Sequence, residues 1–386
     1  MKAVRDRSIQ VEFHHSIDEL NRDEWDRLVT DNNPFLKYAF HAAMEHHDCV
    51  GRKYGWVPCH LAVRQENHLV ALSPLYIKTN SYGEFVFDHA WADAYQRSGL
   101  HYYPKLVSAI PYTPAYGDRL LVHPDADSLQ LRKLMISATR QLASESDFSS
   151  MHWLFTTAEE GAVLKSMGMM ERLGVQFHWH NRGYGDFDQF LSRLTAKRRK
   201  NIRQERRKVA DAGIRFRVLP GDQVSEEEWQ LFADFYAKTF EERYSLPTLN
   251  VGFFREIGRT MGEQVIVIYA YDGSLCVAGA LLYRSRSVLY GRHWGCLHHY
   301  DSLHFETCYY QGIEYAIKQR LQRFEPGAQG EHKIWRGFLP ARTRSYHWIS
   351  DNRFRVSIQD FLDREAPAII DYEKSLLTSS PYRQDS

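Results

Sequence analysis

The sequence predicts an α/β (α+β) chain of two tandem domains, each a mixed, mostly antiparallel sheet flanked by helices. Three observations carry this. The chain has 386 residues, more than one domain of roughly 100–200 residues needs. Its 44% hydrophobic and 25% charged residues are ordinary for a globular protein and exclude a disordered chain. The apolar period also switches between two and 3.6 in the same order in both halves: meander, helix, further strand. The division falls near residue 180, giving domains 1–180 and 181–386.

The elements follow in chain order. VEFHHS predicts a strand. Asn33 followed by Pro34 predicts a helix start, since Asn caps free N–H groups and Pro loses nothing at the first helical position. WVPCHLAVR and HLVALSPLYIK predict two strands around a turn at Glu66–Asn67, and GEFVFD and RLLVH predict two more. Residues 127–145 predict an amphipathic helix, MHWLFT a strand, AEEGAVLKSMG a short helix, and ERLGVQFHWHN a closing strand. The second half opens with helices over about 186–211 and 225–243. The meander QVIVIYAYDGSLCVAGALLYRSRSVLYGRHW follows, with Asp272–Gly273 as its tight turn. A helix over about 302–320 and a short strand ending near Glu325 complete the pattern.

Lys+Arg 49 against Asp+Glu 48 leaves a net charge of +1, which excludes a globally basic nucleic-acid binder but not a local patch. No run of roughly 18 apolar residues occurs, and no signal peptide is read at the start. The five scattered cysteines contain no C-x-x-C pair and read as reduced thiols, so a cytoplasmic protein is expected. The phosphate loops, dinucleotide fingerprint, zincin motif and nucleophile elbow are all missing, and the histidines lack zinc spacing, so no metal is expected.

Four stretches could carry chemistry. Residues 193–208 hold nine Lys/Arg and one Glu, among them Lys197, Arg198, Arg199, Lys200 and Arg203. Leu191, Leu194, Ile202 and Val209 form a thin apolar seam, so this is an amphipathic helix with a cationic face. Ordinary solvated faces intersperse acids at i,i+4, which favours an anionic partner here: tRNA, coenzyme A phosphates or an anionic headgroup. In the second stretch, Arg292 ends a strand, and Glu306 lies one helical turn before Tyr310. That spacing suits either acid/base work or a mutually satisfied core pair. The third, Gly327 to Lys333, joins glycines that let backbone N–H groups approach a ligand (Gly327, Gly330) to Glu331, His332 and Lys333. The fourth, Asp88, Trp91, Asp93, Tyr95, Gln96 and Arg97, suits an acceptor-pocket wall or an aromatic interface.

Four segments then carry a resemblance. NPFLKYAFHAAME (33–45), PLYIKTNSYGEFVFDHAWADAYQRSGLHYYPKL (74–106), FHWHNRGYGDFDQFLSRLTAKRRKNIRQERRKV (177–209) and LHFETCYYQGIEYAIKQRLQRFEPGAQGEHKIWRGFLPARTRSYHW (303–348) resemble the FemAB-like family of predicted N-acyltransferases, a bacterial group related to the peptidoglycan-bridge aminoacyltransferases. The resemblance implies two tandem GNAT-type domains and acyl transfer to an amine, linked to peptidoglycan precursors. Acyl-CoA or aminoacyl-tRNA is then the co-substrate, and an amine-bearing small molecule or peptide the acceptor. It also implies that strands near 287–293 and 322–325 splay apart, with Arg292, Glu306 and the 327–333 loop around the opening. Two features depart from close relatives. Pro326 stands where the pyrophosphate motif of acetyl-CoA users has its first glycine, and the long helical hairpin of the bridge enzymes is missing.

The expected mechanism is direct transfer in a ternary complex, with the first domain on the acceptor side and the second binding donor and catalysing. Glu306, Glu331 or His332 accepts the ammonium proton, with Tyr310 beside them. Arg292 or the glycine-rich backbone holds the oxyanion. Lys197, Arg198, Arg199, Lys200, Arg203, Gly327, Gly330 and Lys333 bind the donor. The alternative is a non-catalytic protein that recognises cell-wall precursors or peptides.

Overall fold

The structure, a computed structural model, describes residues 9–242, 244–328 and 330–383. The chain divides into two units. Unit 1 holds residues up to Thr30, Phe35–Gly174 and Thr343–Ile369; unit 2 holds Asp31–Pro34, Val175–Arg342 and the chain from Ile370. The division thus passes near residue 175, and a stretch near the far end of the chain returns to the first unit.

The strands in chain order are β1 (Ile9–His14), β2 (Trp56–Pro58), β3 (His60–Gln65), β4 (His68–Ser73), β5 (Tyr76–Lys78), β6 (Lys105–Ser108), β7 (Leu121–Val122), β8 (Ser150–Leu154), β9 (Met170–His180), β10 (Ile214–Pro220), β11 (Val265–Asp272), β12 (Leu275–Arg284), β13 (Val288–Cys296), β14 (Arg323–Glu325) and β15 (Leu339–Ile349). The helices are α1 (Arg22–Arg27), α2 (Tyr38–His46), α3 (His89–Arg97), α4 (Ser128–Glu145), α5 (Ala158–Ser166), α6 (Phe187–Ser192), α7 (Ala196–Asp211), α8 (Glu226–Glu241), α9 (Val251–Met261), α10 (Leu303–Phe305), α11 (Gln311–Lys318) and α12 (Asn352–Leu377).

In unit 1, β1-β3-β4-β7 form one antiparallel sheet, and β2-β5-β6-β8 run in order beside the Ser345–Ile349 part of β15. In unit 2 the order is β10-β11-β12-β13-β14, followed by the end of β9. Among the described residues each unit contains one parallel pair, β6 with β8 and β13 with β14, and antiparallel pairs otherwise. Each parallel pair is joined through a helical crossover, as parallel strands require: α4 in unit 1, α10 and α11 in unit 2. The last strands are exchanged. β8 pairs with residues 345–349, while β14 pairs with residues 179–180. Leu106, Met135, Met151, Trp153 and Leu164 centre the first core. Trp179, Phe190, Leu282, Tyr310, Phe324 and Phe338 centre the second.

Several predicted elements differ. Asn33–Pro34 opens only a 3₁₀ turn at Pro34–Leu36, and α2 starts at Tyr38. GEFVFD is loop, because Gly83 and Phe85 take positive φ and turn Glu84 toward Lys105. The helix expected over 186–211 breaks into α6 and α7. At the break, Thr195 N–H donates to Pro381 O at 2.9 Å and Leu194 bridges Tyr382, so the C-terminal segment takes backbone groups that a continuous helix would use. The helix at 302–320 contains a π turn over Glu306–Tyr310. The Asp272–Gly273 hairpin forms, with Gly273 at φ 58°. All five cysteines are free, and among the described residues no helix is long and apolar enough to cross a membrane.

Candidate functional site

In unit 2, β13 and β14 pair over only three residues, ending at Tyr290 and Glu325. Beyond that point β13 continues through Gly291 and Arg292, while the other chain turns away at Pro326–Gly327. Gly327 adopts φ 102°, which an L side chain rarely tolerates. A Cβ on Gly327 would lie 3.9 Å from both Gly291 O and Lys333 Nζ. Lys333 therefore stands at the parting of the strands, where its Nζ donates to Gly327 O at 2.9 Å. Arg292 and Glu325 are buried there, 3.9 Å apart, and Arg323 reaches Glu325 at 3.0 Å. Burial pulls Lys333 down to about 7, with the Arg292 charge acting in the same direction.

A second patch lies on the inner side of α7. Long straight-chain residues make good helix formers, and Ile202 and Val209 seat this helix on the core. Arg206 grips both Glu306 oxygens at 3.1 and 3.0 Å and Glu314 at 2.8 Å. The Gln311 amide donates to Glu306 at 2.8 Å. Burial raises the Glu306 carboxyl, and Arg206 opposes the rise. Beside it, the Tyr310 hydroxyl donates to Glu205, which Arg336 holds at 3.2 and 2.6 Å. The π turn sets Glu306 and Tyr310 toward α7; such turns recur at functional sites.

The 3₁₀ turn Glu331–Arg336 touches both patches. Lys333 enters the strand opening, while Arg336 joins Glu205 and lies 3.5 Å from the Phe305 ring centre. His332 Nε2 and the Tyr309 hydroxyl are 3.1 Å apart. Burial, Arg336 and Lys333 lower the His332 value. Glu331 is exposed and accepts from the Tyr372 hydroxyl at 2.6 Å.

The outer face of α7 exposes Lys197, Lys200, Arg203, Arg207 and Lys208. A shallow groove of about 640 Å³ runs along it, lined by Arg199, Lys200, Arg203, Gln204 and Arg207. A second, of about 420 Å³, lies between Arg203, Arg207, Phe216, Glu306 and Gln311. Arg203 and Arg207 line both. Arg198 instead covers the Trp335 ring at 4.8 Å.

The predicted residues therefore fall into groups. Arg292, Gly327 and Lys333 meet at the strand opening, and Gly330 sets the entry to the 331–336 turn. Glu306, Tyr310 and Arg203 lie along α7. In unit 1 the six acceptor candidates do not share a surface. Asp88 is buried and accepts from Tyr102 at 2.6 Å and from Lys105. Trp91 and Tyr95 enter an apolar cluster with Ile358 and Leu362, while Asp93, Gln96 and Arg97 are exposed. Sequence reasoning missed Glu205, Arg206, Glu325 and Arg336. The single acid in the basic run was the available signal for Glu205.

Comparison with known proteins agrees with this architecture. FemX matches with a TM-score of 0.54 at 11% identity, over 91% of this chain and 100% of that one. The C-terminal DUF2156 domain of a protein described as a lysylphosphatidylglycerol synthetase from Agrobacterium fabrum matches at 0.51 and 10%, over 89% and 96%. A tandem GNAT protein from the clavulanic acid biosynthesis pathway matches at 0.46 and 11%, over 89% and 100%. No curated protein matches. The first two likenesses show the fold. The profile of the FemAB-like family, described as peptidoglycan biosynthesis and recognition, matches residues 16–384, and the chain belongs to that family.

Proposed function

We propose that the protein is an N-acyltransferase that moves an acyl or aminoacyl group from an activated donor to an amine, with donor binding and chemistry in unit 2. The observation that carries this reading is the parallel β13/β14 pair, which parts after three residues beside Arg292, Gly327 and Lys333. Beyond Tyr290 and Glu325 the two strands no longer pair with each other, and the amide groups of an extended donor arm can pair with backbone that has lost its ladder partner there. Arg292 and the Gly327 backbone are the donors available to a developing oxyanion. The outer face of α7 supplies exposed cations for the phosphates of coenzyme A or tRNA. Membership of the family supports a peptidoglycan-precursor or peptide amine as acceptor. The free cysteines suit a cytoplasmic setting.

The test offers labelled acetyl-CoA, longer acyl-CoA and aminoacyl-tRNA with a panel of amines and peptides. Transfer of label from one donor is the expected result. Lys200→Glu/Arg207→Glu should weaken that donor's binding about tenfold or more and flatten its salt dependence, without changing thermal stability. Binding of precursor peptides with no transfer from any donor would instead establish the non-catalytic recognition protein.

A further inference from the structure

Lys333 carries three N–H donors when charged. Among the described residues it has one hydrogen-bond acceptor, Gly327 O, and no carboxylate within ion-pair reach. It is 4% exposed. The groups around it do not compensate an ammonium. Arg292 on β13 adds a positive charge, and His178 on β9 and Cys308 in the π turn are held neutral by burial. His332 is the neighbouring residue on the turn. Glu325 on β14 is an acid of the opening, but it faces Arg323 and Arg292. Loss of one proton removes an unpaired buried charge and its repulsion from Arg292 together. The acids and base read from the sequence are occupied: Glu306 by Arg206 and Gln311, Glu331 by Tyr372, and His332 by Tyr309.

We propose that Lys333 works as a neutral amine at the parting of β13 and β14 and is the base that takes the proton from the acceptor ammonium. This rests on the acyltransferase reading. The acceptor R–NH3+ gives one proton to the Lys333 Nζ lone pair, leaving R–NH2 and a lysine ammonium. The amine nitrogen attacks the donor carbonyl, and a C–N bond forms. The carbonyl bond to the thiol or ribose oxygen breaks, and the leaving group takes a second proton from the former amine. Lys333 then returns its proton to solvent. No redox partner is needed. A base suited to this step titrates near the working pH, and the same burial that isolates Lys333 from counter-ions brings it there.

Two measurements test this. Trace labelling of the unmodified protein with acetic anhydride across pH, read peptide by peptide by mass spectrometry, gives the titration midpoint of Lys333 without any variant. A midpoint near neutrality is expected; one near the ordinary lysine value of about 10.4 overturns the proposal. With whichever donor proves active, Lys333→Met should lower the rate at neutral pH by about 100-fold or more. Activity should recover as the pH passes the acceptor's own ammonium value. A deficit equal at every pH assigns Lys333 to structure or oxyanion binding and also overturns the proposal. Absence of transfer by the unmodified protein removes the reading beneath it, whereas an ordinary lysine midpoint with transfer intact removes the base alone.

Discussion

Replacing Arg206 with methionine isolates the electrostatics of the Glu306 patch. The variant keeps an apolar stem over Phe187 but takes the guanidinium from both Glu306 oxygens. Glu306 is 3% exposed and retains the Gln311 amide. Leaving one member of a buried pair uncompensated costs about 3–5 kcal/mol. The partly exposed Glu314 contact adds no more than about 1 kcal/mol. Glu306 has an escape, because it can bind a proton. From an ordinary value near 4.3, that costs about 5 kcal/mol at about pH 8 and about 1.6 kcal/mol at about pH 5.5. The expected loss is therefore about 3–5 kcal/mol at the higher pH and less than about 3 kcal/mol at the lower. The sign follows from linkage. Burial already raises the folded-state carboxyl, and losing Arg206 raises it further. A raised carboxyl favours the folded state at low pH, and that support is lost as pH rises through the folded value. Urea unfolding at both pH values, alongside Arg206→Met/Glu306→Gln, reads this directly. The double variant should regain stability at high pH. A loss independent of pH, or a double variant no better than the single one, would refute the reasoning.

Two further outcomes concern the scaffold. Gly295→Ala places a Cβ 2.1 Å from the Phe235 carbonyl oxygen, backbone that cannot retreat without moving α8. It should cost at least about 1–3 kcal/mol in thermal melting, whereas Gly291→Ala, whose nearest neighbour is 3.3 Å away, should cost less. In unit 1, Lys105 is fully buried between Glu84 and Asp88. Lys105→Met should destabilise by about 3–5 kcal/mol or more. Burial pushes the Asp88 carboxyl up, but Lys105 holds it below the usual range. Its stabilisation is present above the unfolded carboxyl value and lost as pH falls, so the acid limb of stability should flatten in the variant.

Much of the fold was legible because hydrophobic period is a local property. The β11–β12–β13 meander, α4 and α8 lie where the pattern places them. The apolar seam of Leu191, Leu194, Ile202 and Val209 is buried throughout, although the helix carrying it is broken. That break, and the loop at GEFVFD, were not legible, because the deciding partners (Pro381, Tyr382 and Lys105) are distant in the chain. The candidate site divides in the same way. Residue types and spacing picked out the basic helix, Glu306 and the 327–333 loop. They paired Glu306 with Tyr310, whereas each faces a different α7 residue, Arg206 and Glu205.

By itself, the sequence determined most of the segments that become strands and helices, where the cations concentrate and which loop carries glycines beside titratable groups, since each depends on neighbours a few residues away. Tertiary structure alone decided that residues 345–349 complete the first unit's sheet and that Arg206 meets an acid 100 positions on. It also decided that Lys333, read from the sequence as a donor-binding cation, is buried with no counter-ion among the described residues. Charge and burial depend on what the folded chain brings close, and spacing along the chain does not encode that.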